Sequence, residues 1–211
     1  MRTLRYTYSI LLLNLLMLTN TAVAEDEALY GAAPPPDAVF FRVFNASEQN
    51  VEVVHQDKVL ATVEPLQATP YGFSAVNAAM LKINNQPLTL TGPINSQWTI
   101  IVTAGSNSPL VILESPFDNK RQARIAVYNL TEHSEIALRT IDGKHTIIDK
   151  VPALEIATRD VRAIKIPTAV LAEEQVLVQS EPLMLARDGV TSLFITEANG
   201  SVNLKVVQAE Q

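Results

Sequence analysis

Apolar residues occur along this chain in short bursts separated by turn-forming residues. Val39 to Phe44 is the first burst after a Pro-rich stretch. Val51-Glu52-Val53 and Val59 to Val63 flank Gln56-Asp57-Lys58, the layout of a β-hairpin. Met80 to Ile83 and Leu88 to Leu90 flank Asn84-Asn85, a second hairpin. Trp98 to Thr103 and Leu110 to Leu113 flank Ala104 to Ser108, a third. No long stretch carries the spacing of an amphipathic helix.

The second half repeats this grammar. Arg124 to Glu132 lines up with Phe41 to Glu48, with Val127 over Val43. Ile136 to Thr140, then Asp142-Gly143, then Thr146 to Val151 repeats the Val51 to Val63 hairpin. Asp-Gly predicts a tight turn with positive φ at both central positions. Val190 to Thr196 and Val202 to Val207, around Ala198-Asn199-Gly200, repeat the Trp98 to Leu113 hairpin. Three paired features in one order, at offsets of 84 to 93 residues, point to an internal duplication. Asn45-Ala46-Ser47 and Asn129-Leu130-Thr131 have the form of glycosylation sequons, but they occupy equivalent repeat positions. That equivalence suggests a turn role for both Asn side chains.

Many short strands and regular turns favour sandwiches over parallel sheets, which need helical crossovers. Each half is near the size of an immunoglobulin-type sandwich. The expectation is an all-β chain of two tandem β-sandwich (immunoglobulin-like) domains, at 39–116 and 117–211. They join through the polar run from Ser115 to Arg121, with Pro116 interrupting any ladder. Val, Ile and Thr number 53 of 211 residues, in keeping with strands.

The first 24 residues read as an address. Arg2 and Arg5 precede the apolar run Ile10 to Leu18, and Ala22-Val23-Ala24 offers a cleavage site, so 1–24 is expected to be a signal peptide. The run is short for a bilayer span. An exported periplasmic protein, at most peripheral to a membrane, is the expectation. Residues 25–38 read as an extended, acidic and then Pro-rich lead-in containing Leu29 and Tyr30. From Glu25 onward 14 basic residues face 22 acidic ones, a net of −8. That balance argues against nucleic acid as a partner. The chain has no cysteine, so disulfides, thiol nucleophiles and zinc–cysteine sites are excluded.

Reactive chemistry is hard to find. His55, His133 and His145 all sit at or beside turns and read as solvated. No G-x-S-x-G elbow, Gly-rich phosphate loop or calcium loop is present. The expectation is therefore no catalytic residues, no metal ligands, no cofactor and no enzyme. Trp98, Tyr30, Tyr71, Tyr128 and Phe117 offer faces for sugar stacking, yet Trp98 and Tyr128 read better as core or half-buried strand residues. Arg42, Arg121 and Arg124 read as solvated or loosely paired.

Four segments together resemble a known family. Ala28-Leu29-Tyr30-Gly31, Phe41-Arg42-Val43-Phe44-Asn45-Ala46, Pro116-Phe117-Asp118-Asn119-Lys120 and Thr140-Ile141-Asp142-Gly143-Lys144 follow the order and spacing of the AlgF family of alginate O-acetylation proteins. The resemblance spans the chain after residue 24. It implies two β-sandwich domains and a periplasmic, non-catalytic adaptor. Its partners would be the other alginate O-acetylation proteins, the inner-membrane and periplasmic acetyltransferases. No family catalytic residue carries over. Leu29, Tyr30 and Phe117 are the apolar candidates for partner contacts. The alternative is a carbohydrate-binding module that presents alginate itself to the acetylating enzyme, which the net charge disfavours.

Overall fold

The computed structural model describes residues 34–76, 79–106 and 108–209. The lead-in pair Leu29 and Tyr30, and the expected signal peptide, lie outside the described residues. The described chain is all-β and contains no α-helix.

The first half supplies β1 (Ala38–Ala46), β2 (Val51–His55), β3 (Lys58–Val63), β4 (Gly72–Ala75), β5 (Met80–Ile83), β6 (Gln86–Thr89), β7 (Gln97–Thr103) and β8 (Leu110–Glu114). The second supplies β9 (Ala123–Leu130), β10 (Glu135–Thr140), β11 (Thr146–Pro152), β12 (Ile156–Val161), β13 (Lys165–Ile166), β14 (Thr168–Ala172), β15 (Gln175–Gln179), β16 (Leu183–Met184), β17 (Val190–Ala198) and β18 (Ser201–Gln208).

The duplication is visible in the pairing. Sheet order β4-β1-β7-β8 recurs as β12-β9-β17-β18, and β3-β2-β5-β6 recurs as β11-β10-β14-β15. A small β13-β16 ribbon has no counterpart among the described residues of the first half. Register agrees to the residue: Val43 pairs with Ile100, and Val127 with Leu193, which reproduces the two offsets read from the sequence. In both halves this central pairing is parallel, β1 with β7 and β9 with β17. The premise that parallel pairing needs helical crossovers is thus corrected. Here the crossover between parallel strands is made by the strands of the other sheet, so no helix is required.

Three core clusters order the sheets. Val39, Phe41, Val43 and Ile100 pack against Val51, Val53, Leu81 and Ile83 within the first half. Ile125, Val127, Leu193 and Ile195 pack against Ile136, Leu138, Ile148 and Val170 within the second. The opposite faces of the two central sheets meet in a third cluster of Phe44, Ile101, Ala126, Tyr128 and Phe194. Successive strand residues point to opposite faces. Strands β1, β9 and β17 are therefore covered on both sides, and nearly all of their residues are buried or half-buried, the polar Arg42, Thr191 and Ser192 included. Residues 36–211 form one compact unit.

Turn chemistry follows the sequence closely, with one exception. Gln56-Asp57 (φ 50° and 59°), Asn84-Asn85 (48° and 65°) and Asn199-Gly200 (52° and 72°) are two-residue turns with both φ positive. Between β10 and β11 only Gly143 has positive φ, at 71°, and the connection takes five residues, 141–145. Asp142 Oδ1 accepts from the Thr140 hydroxyl at 2.5 Å and the Lys144 N–H at 3.2 Å. That local turn replaces the two-residue turn expected for Asp-Gly.

Candidate functional site

On β1 the alternation that sends Phe41 and Val43 into the first-half core sends Arg42 and Phe44 toward the second half. Arg42 is only 1 % exposed, so the expectation of a solvated arginine is corrected. Its Nε donates to Thr99 Oγ1 on β7 at 2.8 Å. Its Nη2 donates to Glu114 Oε1 at 3.0 Å, Tyr128 OH at 2.9 Å and Ser192 Oγ at 2.9 Å. Tyr128 and Ser192 belong to the second half, on β9 and β17. Glu114 ends β8 and gathers further donors: Tyr71 OH at 2.9 Å, Tyr128 OH at 2.8 Å and the Thr99 hydroxyl. Burying one ion pair costs several kcal/mol of hydration per ion unless hydrogen bonds replace the water. Here the Tyr71, Thr99 and Tyr128 hydroxyls surround the carboxylate, and those of Thr99, Tyr128 and Ser192 accept from the guanidinium. Burial works against the Arg42 charge, but Tyr128, Glu114 and Tyr71 outweigh it and hold its pKa above the ordinary value. Burial is also the chief cause that pushes the Tyr71 and Tyr128 hydroxyls far above the usual phenol range.

Aromatic rings complete the junction. Phe44 stacks on Phe194 with centroids 3.9 Å apart, and Tyr128 stacks on Phe194 at 4.4 Å. The guanidinium lies over the Tyr71 ring at 4.8 Å and the Phe194 ring at 5.3 Å. Such contacts are worth about 2 kcal/mol when desolvated. The arrangement is a clamp: one charged residue bonds side chains from both halves at once. A charge inside the otherwise apolar run Val39 to Phe44 was the sequence signal for it. An unsolvated run leaves such a residue no exit to water.

The sequence-derived candidates fall elsewhere. His145 is exposed and His133 half-buried. His55 is half-buried rather than solvated: its ring meets Phe41 edge-on at 5.9 Å, and its Nε2 lies 3.0 Å from Ser74 Oγ. Ser74 is 4 % exposed and also donates to Ala75 O at 3.3 Å. The pair ties the β2 end to β4 across the first-half core. Trp98 is half-buried, donates from Nε1 to Ser96 Oγ at 2.8 Å and packs on the first-half core. Its ring fills the space a side chain at Gly92 would need, with Cζ2 2.6 Å from where a Cβ would stand. Trp98 and Tyr128 are thus packing residues, as expected, and offer no stacking platform. Phe117 is half-buried beneath the Arg124 guanidinium at 4.7 Å. Arg124 also holds Asp160 at 2.7 Å and the Ser115 and Pro116 carbonyls, which fixes the join between the halves. Arg121 is exposed.

Asn45 and Asn129 perform the same local task in both halves. Asn45 Nδ2 donates to the Gln49 and Val63 carbonyls at 2.7 and 2.8 Å, and Asn129 Nδ2 to those of His133 and Val151 at 3.1 and 3.0 Å. Each Oδ1 accepts from the N–H and hydroxyl of the residue two positions on, Ser47 or Thr131.

These features define an all-β protein with a duplicated strand order, whose halves are held together by a buried ionic and aromatic clamp. Residues 12–192 match the family model described as Alginate O-acetyl transferase AlgF, and the chain belongs to that family. It is similar to the alginate biosynthesis protein AlgF of Pseudomonas syringae pv. tomato, 28 % identical over 89 % of this chain and 83 % of that one. The Pseudomonas aeruginosa protein of the same name is 28 % identical over 86 % of this chain and 83 % of its own. A solved structure of the C-terminal domain of AlgF from P. aeruginosa matches 42 % of this chain and 99 % of that one, at 27 % identity and TM-score 0.39.

Proposed function

We propose that the chain is a periplasmic, non-catalytic adaptor in alginate O-acetylation, built of two immunoglobulin-like sandwiches and bridging the membrane-associated and periplasmic acetyltransferase components. Family membership supports the pathway. One surface carries the adaptor reading. On the sheet β3-β2-β5-β6, Val54 pairs with Val59 on one side and Lys82 on the other, and Lys82 pairs with Pro87. Direct cross-strand partners share a face. Met80 lies two residues before Lys82 and points the same way. This face turns away from the core. Met80 is 63 % exposed and Val59 60 %, beside a groove of about 500 Å³ lined by Val54, Met80, Leu81 and Pro87 and rimmed by Gln56 and the Asp57–Lys82 ion pair. Apolar side chains collected on one outward face suit a protein partner. Holding two enzymes on one rigid body raises the effective concentration of acetyl donor near acceptor.

The test is co-purification of the full chain with the other O-acetylation proteins, against the pair Val59→Lys and Met80→Glu. Loss of at least one partner, with unchanged melting, is the expected result. Sustained turnover of an activated acetyl ester, abolished by His55→Ala, would overturn the non-catalytic reading.

A further inference from the structure

One sheet edge is left open. The other edges are blunted in ways that keep a strand from pairing with a foreign one. Strands β4, β6 and β8 are only four or five residues long, with Pro70, Pro87 and Pro109 in them or close before them. Strands β3, β11 and β15 have shifted registers against their neighbours. On β12 the Arg159 guanidinium donates to the Thr146 and Ile147 carbonyls of β11, which laces two edges together. Strand β18 has none of these devices. Its residues Ser201–Gln208 include no Pro or Gly, and all of them pair with β17 without a shift. The Ala209 N–H donates to the Val190 carbonyl, the next step of the same ladder. By the alternation of antiparallel pairs, Ser201, Asn203, Lys205 and Val207 also turn their backbone groups toward β17. The N–H and C=O groups of Val202, Leu204, Val206 and Gln208 therefore point away from the sheet, and among the described residues no strand pairs with them.

The side chains along this edge define what an added strand must carry. Val202, Leu204 and Val206 lean on the second-half core, so an apolar row on that face would continue theirs. Lys205 lies on the opposite face, half-buried, with its Nζ donating to Gln67 Oε1 at 2.9 Å. Among the described residues no carboxylate pairs with it. Opposite charges on neighbouring strands attract across one face of a sheet, and like charges repel. Two copies of β18 paired antiparallel about its middle would set their Lys205 side chains opposite or diagonal to each other, which disfavours a second copy as the occupant. We infer that the β18 edge receives an extended segment of a protein partner, apolar at alternate positions and acidic beside Lys205. The inference deepens the adaptor reading, on which it rests for a protein partner, while its test uses synthetic peptides, so that each can fail without the other.

The test uses ¹⁵N-labelled protein and a pair of end-capped peptides of the length of β18, one alternating valine with glutamate and the other valine with lysine. In the free protein the Val202, Leu204 and Val206 amides should exchange with solvent far faster than those of Asn203, Lys205 and Val207. The valine–glutamate peptide should shift the same three signals saturably, with half-saturation on the order of millimolar, because a free peptide must be ordered as it binds. It should bind tighter than the valine–lysine peptide by roughly threefold or more. Lys205→Glu keeps a hydrogen-bond partner for the Gln67 amide and should reverse that order with unchanged melting. Val202→Pro deletes one outward N–H and none from the β17 ladder, and should weaken both peptides. Slow exchange of the three amides in the free protein, self-association that protects them, no saturation with the valine–glutamate peptide, or an unreversed order in Lys205→Glu would each overturn the assignment.

Discussion

Removing the Arg42 guanidinium while leaving Glu114 in place strands a buried carboxylate without its counter-charge. Breaking a buried pair by deleting one member costs about 3–5 kcal/mol, whereas replacing both members with apolar residues is often neutral. Arg42→Met should therefore lower unfolding free energy by about that amount, and the double variant Arg42→Met, Glu114→Met should recover most of it. Urea denaturation at neutral pH reads both. The clamp also sets an alkaline limit. The Tyr71 and Tyr128 hydroxyls have folded pKa values raised above the ordinary 10.0 by burial. In the unfolded chain they lose their protons near that value, so above it the unfolded state binds fewer protons than the native one. Stability is then full below about pH 10 and falls as pH rises toward the folded values. Tyr71→Phe should flatten that fall in pH-dependent melting, while its lost bond to Glu114 lowers stability at neutral pH by about 1–2 kcal/mol.

At the scale of the strand and its turn, Asn45 and Asn129 each close an arch. Each side chain holds two carbonyls, one of them in a buried contact at the end of the following hairpin, Val63 or Val151. Asn45→Ala and Asn129→Ala should each cost about 2–3 kcal/mol, since every orphaned buried group carries its own desolvation penalty. Ser47→Ala, which removes a hydroxyl shared between Asn45 Oδ1 and the exposed Gln49 carbonyl, should cost about 1 kcal/mol or less. Chemical denaturation of the three variants checks both the size and the near-equality of the two Asn effects. These arches were legible because Asn at equivalent repeat positions has a known local use. The Asn84-Asn85 and Asn199-Gly200 turns were legible for a related reason, as both pairs tolerate positive φ. The β14–β15 turn was not. Glu173 and Glu174 hold φ of 48° and 65° there, and nothing in two glutamates announces a left-handed conformation. The apolar run around Arg42 signalled its burial, but not its partners, which lie 57 to 150 residues away in the chain.

Across the whole molecule, the open question is whether the halves unfold together. Each has its own core cluster, so neither depends on the other for a hydrophobic interior. The clamp and the Phe44–Phe194–Tyr128 stack join them through a third cluster that neither half can bury alone. Unfolding one half exposes the partner's share of that cluster and strands Arg42 or its acceptors. The wild-type chain should accordingly give one calorimetric transition. Phe194→Ala removes the ring that touches both Phe44 and Tyr128, at about 3–5 kcal/mol for a buried aromatic. With the junction weakened, each core responds to its own defects. Leu138→Ala, placed in the second-half cluster, should shift the single wild-type transition as a unit. In the Phe194→Ala background it should lower only one of two resolved transitions. Two transitions in the wild type would show that the halves are uncoupled, and a bridging role would then need some other source of rigidity; one undivided transition in the double variant would show that contacts other than the Phe194 ring couple them.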